Sequence, residues 1–125
     1  MNKVYIVQEP PHERDLSSAE SYGQLVTVLT TYDRPSITPG PCLYKLRSEL
    51  SKFTKEDYLV WTGGDPMGAL LAGIVIAELP FNEIKLLRWD RKKDLNGVRT
   101  EVGFYVPVVL NKRQIIKEFK DHEEF

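Results

Sequence analysis

The stretch Tyr58-Leu59-Val60-Trp61-Thr62-Gly63-Gly64-Asp65-Pro66-Met67-Gly68 decides the fold. Its first four residues are aromatic or branched and apolar, as in a buried strand. Its last residues open a run to about Leu79 in which apolar residues lie almost all round, interrupted by Gly68, Gly73 and Glu78. A helix without a polar face is expected to be buried, and its glycines to lie close against a neighbouring strand. The hand-over is a demanding piece of backbone. Gly63 and Gly64 permit a tight exit from the strand. Asp65 is placed to accept hydrogen bonds from the first free amides of the helix, and Pro66 suits the first helical position, where no N–H is needed. A strand that passes straight into a helix is half of a parallel crossover unit.

The pattern repeats on both sides. Val4 to Val7 is a short apolar strand, and Pro10-Pro11 bars regular structure after it. Asp15 to Tyr22 reads as a short helix capped by Asp15 or Ser17, with Gly23 past its end. Leu25 to Thr31 is strand-like. Asp33 to Pro41 is a loop with three prolines, so the next helix is expected to start near Pro41 and to bury Leu43, Leu46, Leu50 and Phe53. Ile84 to Arg91 mixes apolar and charged positions, as a strand nearer an edge does. Asn96-Gly97 predicts a two-residue turn with positive φ at both positions. Arg99 to Leu110 is then the antiparallel partner, with Gly103 a candidate bulge and Pro107 on an edge. Asn111 caps a weakly amphipathic helix carrying Ile115, Ile116 and Phe119.

This order predicts an α/β fold: a mostly parallel Rossmann-like or flavodoxin-like sheet of about five strands, helices on both faces and an antiparallel C-terminal hairpin strand. Residues 1–110 are expected to form one α/β domain and residues 111–125 a C-terminal helical tail.

The bulk composition narrows function. Of 125 residues, 42% are hydrophobic, enough for one core, and 17 basic against 18 acidic residues give a net charge of -1. That balance disfavours a globally basic nucleic-acid binder. Cys42 is the one cysteine, which excludes an intrachain disulfide and a cysteine-rich zinc site. The first eight residues lack the pattern of a signal peptide, and no apolar run reaches the length of a membrane span. A soluble protein of the cytoplasm is the expectation.

In open α/β sheets ligands bind beyond the carboxyl ends of the strands, where the strand order reverses. The candidate rim comprises Gln8, Glu9, Thr62, Gly63, Gly64 and Asp65. Backbone amides at the start of a helix favour anions, but the loop has no lysine, and Asp65 repels a bare phosphate by roughly 1–4 kcal/mol at about 4 Å. A hydroxyl-rich or amino-bearing small molecule fits better. Glu9, Asp33 and Asp65, with Asp90 as a weaker fourth, are candidate Mg²⁺ ligands for phosphoryl transfer, since hard oxygens hold that ion. "KLLRWDRKK" (residues 85–93) is the one dense basic-aromatic run. Arg88, Trp89 and Arg91 are candidates for contact with a partner protein, and less so with nucleic acid. His12 reads as solvated, His122 as terminal, and Ser17 and Ser18 as capping residues; Cys42, at a helix start that would favour a thiolate, has no His near in sequence to make it a catalytic thiol.

The segments "KVYIVQEP", "ITPGPCLYKLRSELSKF", "DYLVWTGGDPMGALLAGIVIA" and "IKLLRWDRK" resemble a family of small, functionally uncharacterised proteins of tailed bacteriophages. The resemblance runs over roughly residues 3–91, and residues beyond Leu110 are less typical of it. It implies expression in an infected bacterial cytoplasm. By analogy with other small phage proteins, it implies an accessory role in which a host protein is bound, as in host takeover or anti-defence.

Overall fold

The computed structural model describes residues 2–12 and 14–123. The elements run β1 (Lys3–Gln8), α1 (Ser17–Glu20), β2 (Gln24–Leu29), α2 (Pro39–Leu50), β3 (Tyr58–Val60), α3 (Pro66–Glu78), β4 (Glu83–Lys93), β5 (Arg99–Asn111) and α4 (Lys112–Glu123). They form a mixed α/β fold around one five-stranded sheet of order β2-β1-β3-β4-β5. β1 to β4 are parallel, with Tyr5 opposite both Val26 and Leu59, and β5 is antiparallel to β4. The order reverses beside β1: the chain leaves to β2 on one side and returns to β3 on the other.

Strand alternation divides the core in two. On one face Tyr5, Val7, Leu59 and Ile84 pack with Cys42, Leu46 and Leu50 of α2 and Leu71, Ala72 and Val75 of α3. On the other Val4, Ile6, Val60, Leu87 and Tyr105 pack with Ala19 of α1. Arg47 of α2 makes two hydrogen bonds to the Glu78 carboxylate of α3, from Nε at 2.9 Å and Nη2 at 2.5 Å, so those two helices are joined at their solvent side as well.

Several local expectations need correcting. α2 starts at Pro39, two residues before Pro41, so Pro39 takes the first helical position. α1 is a single turn, held by Asp15 Oδ1 accepting from the Ser17 amide at 2.9 Å. The β4–β5 turn is longer than two residues: Asp94 Oδ1 accepts from the Asn96 and Val98 amides, and only Gly97 has positive φ, +80°. A carboxylate able to hold two amides makes the longer loop stable. Gly103 is paired with Arg91 and borders the irregular register, which lies between that pair and Lys93–Arg99. Gly103 also serves packing: a β-carbon on it would collide with the Trp89 indole, which lies across it.

The largest departure is α3. Gly68 does lie close to the sheet, near Gln8, Trp61 and Pro35, but a β-carbon at Gly73 would meet nothing within 4 Å. Leu70 is 65% exposed and Ile74 45% exposed. The sheet and α2 bury one side of α3, and among the described residues no further helix covers the other, where Leu70 and Ile74 stand exposed.

β5 is an edge strand with a partial cover. The Tyr105 amide donates to Ser18 Oγ at 3.0 Å, and the Tyr105 carbonyl accepts from the Tyr22 hydroxyl at 3.3 Å. Side chains around α1 thus satisfy the edge at that residue. Pro107, two residues on, shares the outward register and carries no N–H to offer. Among the described residues no helix is long and apolar enough to cross a membrane.

Candidate functional site

The rim after β1 and β3 is built from Gln8 outward. Gln8 is 5% exposed, and its Nε2 donates to the Thr30 carbonyl (3.3 Å) and the Asp33 carbonyl (3.2 Å). Its carbonyl accepts from the buried Thr62 hydroxyl at 2.9 Å. One glutamine therefore fastens the end of β1 to the loop after β2, and through Thr62 to the end of β3. Gln8 Oε1 is buried without a hydrogen-bond partner and lies beside Gly64 and Gly68. Gly64, at φ +108°, leaves room for it: a β-carbon there would sit 3.1 Å from that oxygen.

Asp65 is the cap of α3. Its Oδ1 accepts from the Met67 amide (3.0 Å) and the Ser36 hydroxyl (2.5 Å), and its Oδ2 from the Ser36 amide (2.8 Å). The Ser36 hydroxyl and amide, then the Met67 amide, hold the Asp65 carboxyl below the usual carboxylate range. Asp33 is likewise engaged: Oδ1 with Lys45 Nζ at 2.6 Å and Oδ2 with the Thr30 amide at 2.8 Å. Desolvation would push its pKa up, but the Lys45 ammonium and Thr30 outweigh it and hold the group low. Glu9 Oε2 accepts from the Thr31 amide at 3.0 Å.

Gln8, Glu9, Gly64 and Asp65 line one shallow cleft of about 310 Å³ with Pro11, Thr31, Asp33 and Arg34. Four of the six rim residues read from the sequence are thereby brought together; Thr62 is buried against the Gln8 carbonyl and Gly63 does not line the cleft. Among the described residues no group of three or more His, Cys, Asp or Glu side chains is placed to hold a metal ion. The three rim carboxylates each hold local backbone instead. Asp90 accepts from the amide of Arg91, next to it in the chain.

The basic-aromatic run does not form one surface. Alternation along β4 places Leu87, Trp89 and Arg91 on the α1 face and Leu86, Arg88 and Asp90 on the α3 face. Trp89 packs edge-on against Tyr105 at 5.0 Å between ring centroids. Arg88 stands exposed beside α3.

There a groove of about 420 Å³ runs between α3 and the β4–β5 ribbon, lined by Trp61, Ala69, Ile76, Leu86, Arg88 and Val108 among others. Its α3 wall continues over the top of the helix into a ridge of Pro66, Leu70, Gly73, Ile74 and Ala77, all exposed and all apolar. Sequence reading took this apolar surface for core. The number of helices available to cover a sheet face is a tertiary fact that periodicity does not carry. A second omission is Asp57, whose buried carboxylate accepts from the Lys3 amide at 2.9 Å and the Thr54 amide at 2.8 Å and so ties β1 to the start of β3.

Neither the curated proteins nor the solved structures contain a match to this chain. Residues 2–97, from the residue before β1 through the β4–β5 turn, match the profile of one protein family, so the chain belongs to the Phage Pam3 gp32-like protein family.

Proposed function

We propose that this phage protein acts by binding a host protein, with the α3 ridge and the adjoining groove as its contact surface. The observation that carries this reading is the ridge itself. Solvent-facing helix surfaces are ordinarily charged or polar, yet Pro66, Leu70, Gly73, Ile74 and Ala77 put no polar side chain there. Contiguous exposed apolar surface of this kind marks interaction sites. Gly73 adds to it: a helix-interior glycine costs about 0.5–1 kcal/mol relative to alanine, and no intramolecular contact requires it. A partner backbone drawn close to α3 would. Arg88, on the far wall of the groove, supplies a charged anchor.

Pull-down from host lysate tests this. One host protein retained by the native chain, lost with Leu70→Asp and with Arg88→Ala, and kept with Tyr32→Ser, is the expected result. Identical recovery of every protein by all four chains would end the proposal.

A second reading rests on the unpartnered Gln8 Oε1 at the rim. The order of the four parallel strands matches that of flavodoxin-like sheets, which bind small molecules at the β1/β3 reversal. A nucleotide or other hydroxyl-bearing ligand in the 310 Å³ cleft, with or without Mg²⁺, would use Gln8, Gly64 and Arg34. Ligand at a hundredfold excess over its Kd adds about 2.7 kcal/mol to stability, so a thermal-shift screen of nucleotides with and without Mg²⁺ decides it. A flat response removes this reading and leaves the first intact.

A further inference from the structure

The rim beyond β1 and β3 holds an acceptor that the protein itself leaves open. Gln8 Nε2 faces two carbonyls, those of Thr30 and Asp33. Both can only accept, so the side-chain amide cannot turn over, and Oε1 is fixed as the atom that faces the start of α3. Gln8 is 5% exposed, and this oxygen meets no donor. A buried acceptor left unpaired carries a full desolvation cost. It lies against Gly64, which forms part of the cleft wall, and beside Gly68. Neither residue has a side chain to offer it. Gly63 and Gly64 follow one another at φ +105° and +108°, so the backbone in front of the oxygen carries no side chain either.

We propose that the cleft takes a small primary ammonium ligand, which donates an N–H to Gln8 Oε1 as the Gly63–Gly64 backbone eases aside. This rests on the second reading above, that the cleft is a small-molecule site, and names the chemistry it selects. An acceptor with no donor repels a phosphate, carboxylate or carbonyl oxygen at that point, so the ligand must donate. Charge then chooses among donors. The carboxylates of Glu9, Asp33 and Asp65 line the cleft against the single guanidinium of Arg34. Lys45 neutralises Asp33 at 2.6 Å, which leaves Glu9 and Asp65 in excess over Arg34. The positive end of the α3 dipole, which would favour an anion, is already met by the Asp65 cap. A hydroxyl satisfies the oxygen and not the charge, and a quaternary ammonium satisfies the charge and not the oxygen. A primary ammonium satisfies both, through a charge-assisted hydrogen bond.

Titration of the full chain with ethanolamine near neutral pH, followed in amide proton–nitrogen NMR spectra, tests this. Saturable shifts at the Gly63, Gly64 and Gly68 amides and at the Gln8 side-chain amide are expected. Tetramethylammonium (charge without N–H) and ethylene glycol (hydroxyl without charge) should produce none there. Glu9→Gln keeps an acceptor for the Thr31 amide and should raise the ethanolamine Kd by about threefold or more, whereas Arg34→Gln should lower it. Circular dichroism should be unchanged in both. No saturable shift with ethanolamine, an equal response to tetramethylammonium, or a Kd indifferent to both substitutions overturns the proposal. Nucleotide binding at the cleft without ethanolamine binding would overturn it while the cleft remains a ligand site. Silence of the cleft towards both removes the proposal and the reading beneath it together.

Discussion

Ser36 grips Asp65 twice, from its hydroxyl at 2.5 Å and its amide at 2.8 Å, while Asp65 caps α3 through the Met67 amide. One carboxylate therefore starts a helix and closes the loop before α2 over the rim. Asp65→Ala should free both, lowering the melting midpoint by about 5 °C. Ser36→Ala should cost less, because the Met67 bond and the Ser36 amide bond survive. Equal midpoints for the native and Asp65→Ala chains would show that the cap is idle.

Stability should fall on acidification. Asp65 and Asp33 are held below the usual carboxylate range by their donors, and Glu78 by the Arg47 guanidinium. In the unfolded chain such groups titrate at about 3.9–4.3. Their stabilisation is thus complete above that range and is lost as pH falls through it toward the lower folded values. The melting midpoint should drop below about pH 4, and Asp65→Asn should flatten that drop. A midpoint as steep in the variant as in the native chain would assign the acid sensitivity elsewhere.

The glycines of this protein should respond oppositely to alanine. Gly64→Ala forces a side chain into positive φ against Gln8 Oε1 and should cost about 1–3 kcal/mol. Gly73→Ala meets open space on a helix and should add about 0.5–1 kcal/mol. Chemical denaturation measures both. If Gly73→Ala stabilises the fold while weakening host-protein recovery, the glycine serves contact with that protein.

Gln8→Ala should cost about 2–3 kcal/mol, since it leaves the Thr30 and Asp33 carbonyls without their buried donor. Amide hydrogen exchange should rise selectively across residues 31–36. Protection that stays as in the native chain would show that Asp65 alone holds the loop.

Much of the architecture was legible in the sequence. The Trp61–Pro66 hand-over, the apolar β1 and the pair Leu46 and Leu50 are local signals that lie where they indicate, while Phe53, read into the same stripe, is buried just past the end of α2. The rim was legible too, because parallel strands that lead into helices deliver their carboxyl ends to one side. What escaped were the partners of individual groups. Glu9, Asp33 and Asp65 read as a carboxylate set, but each is engaged with nearby amides or Lys45. The run around Trp89 reads as one surface in the sequence, but strand alternation splits it, and the longer Asp94–Val98 turn overrides the Asn-Gly signal through two hydrogen bonds to the Asp94 side chain.

Hydrophobic period, caps and turn residues act over short spans of chain, so the elements and their mostly parallel plan can be read from the sequence, whereas the strand order and its reversal beside β1 emerge only on folding. Only the tertiary structure decided which apolar surface was left over. Read alone, α3 looks destined for a core on all sides and α4 looks like a weakly amphipathic tail. Whether a face is covered depends on how many helices the sheet receives and on where each connection leads, and α4 follows β5 with no connecting residue, its first turn held by Asn82 and Asn111.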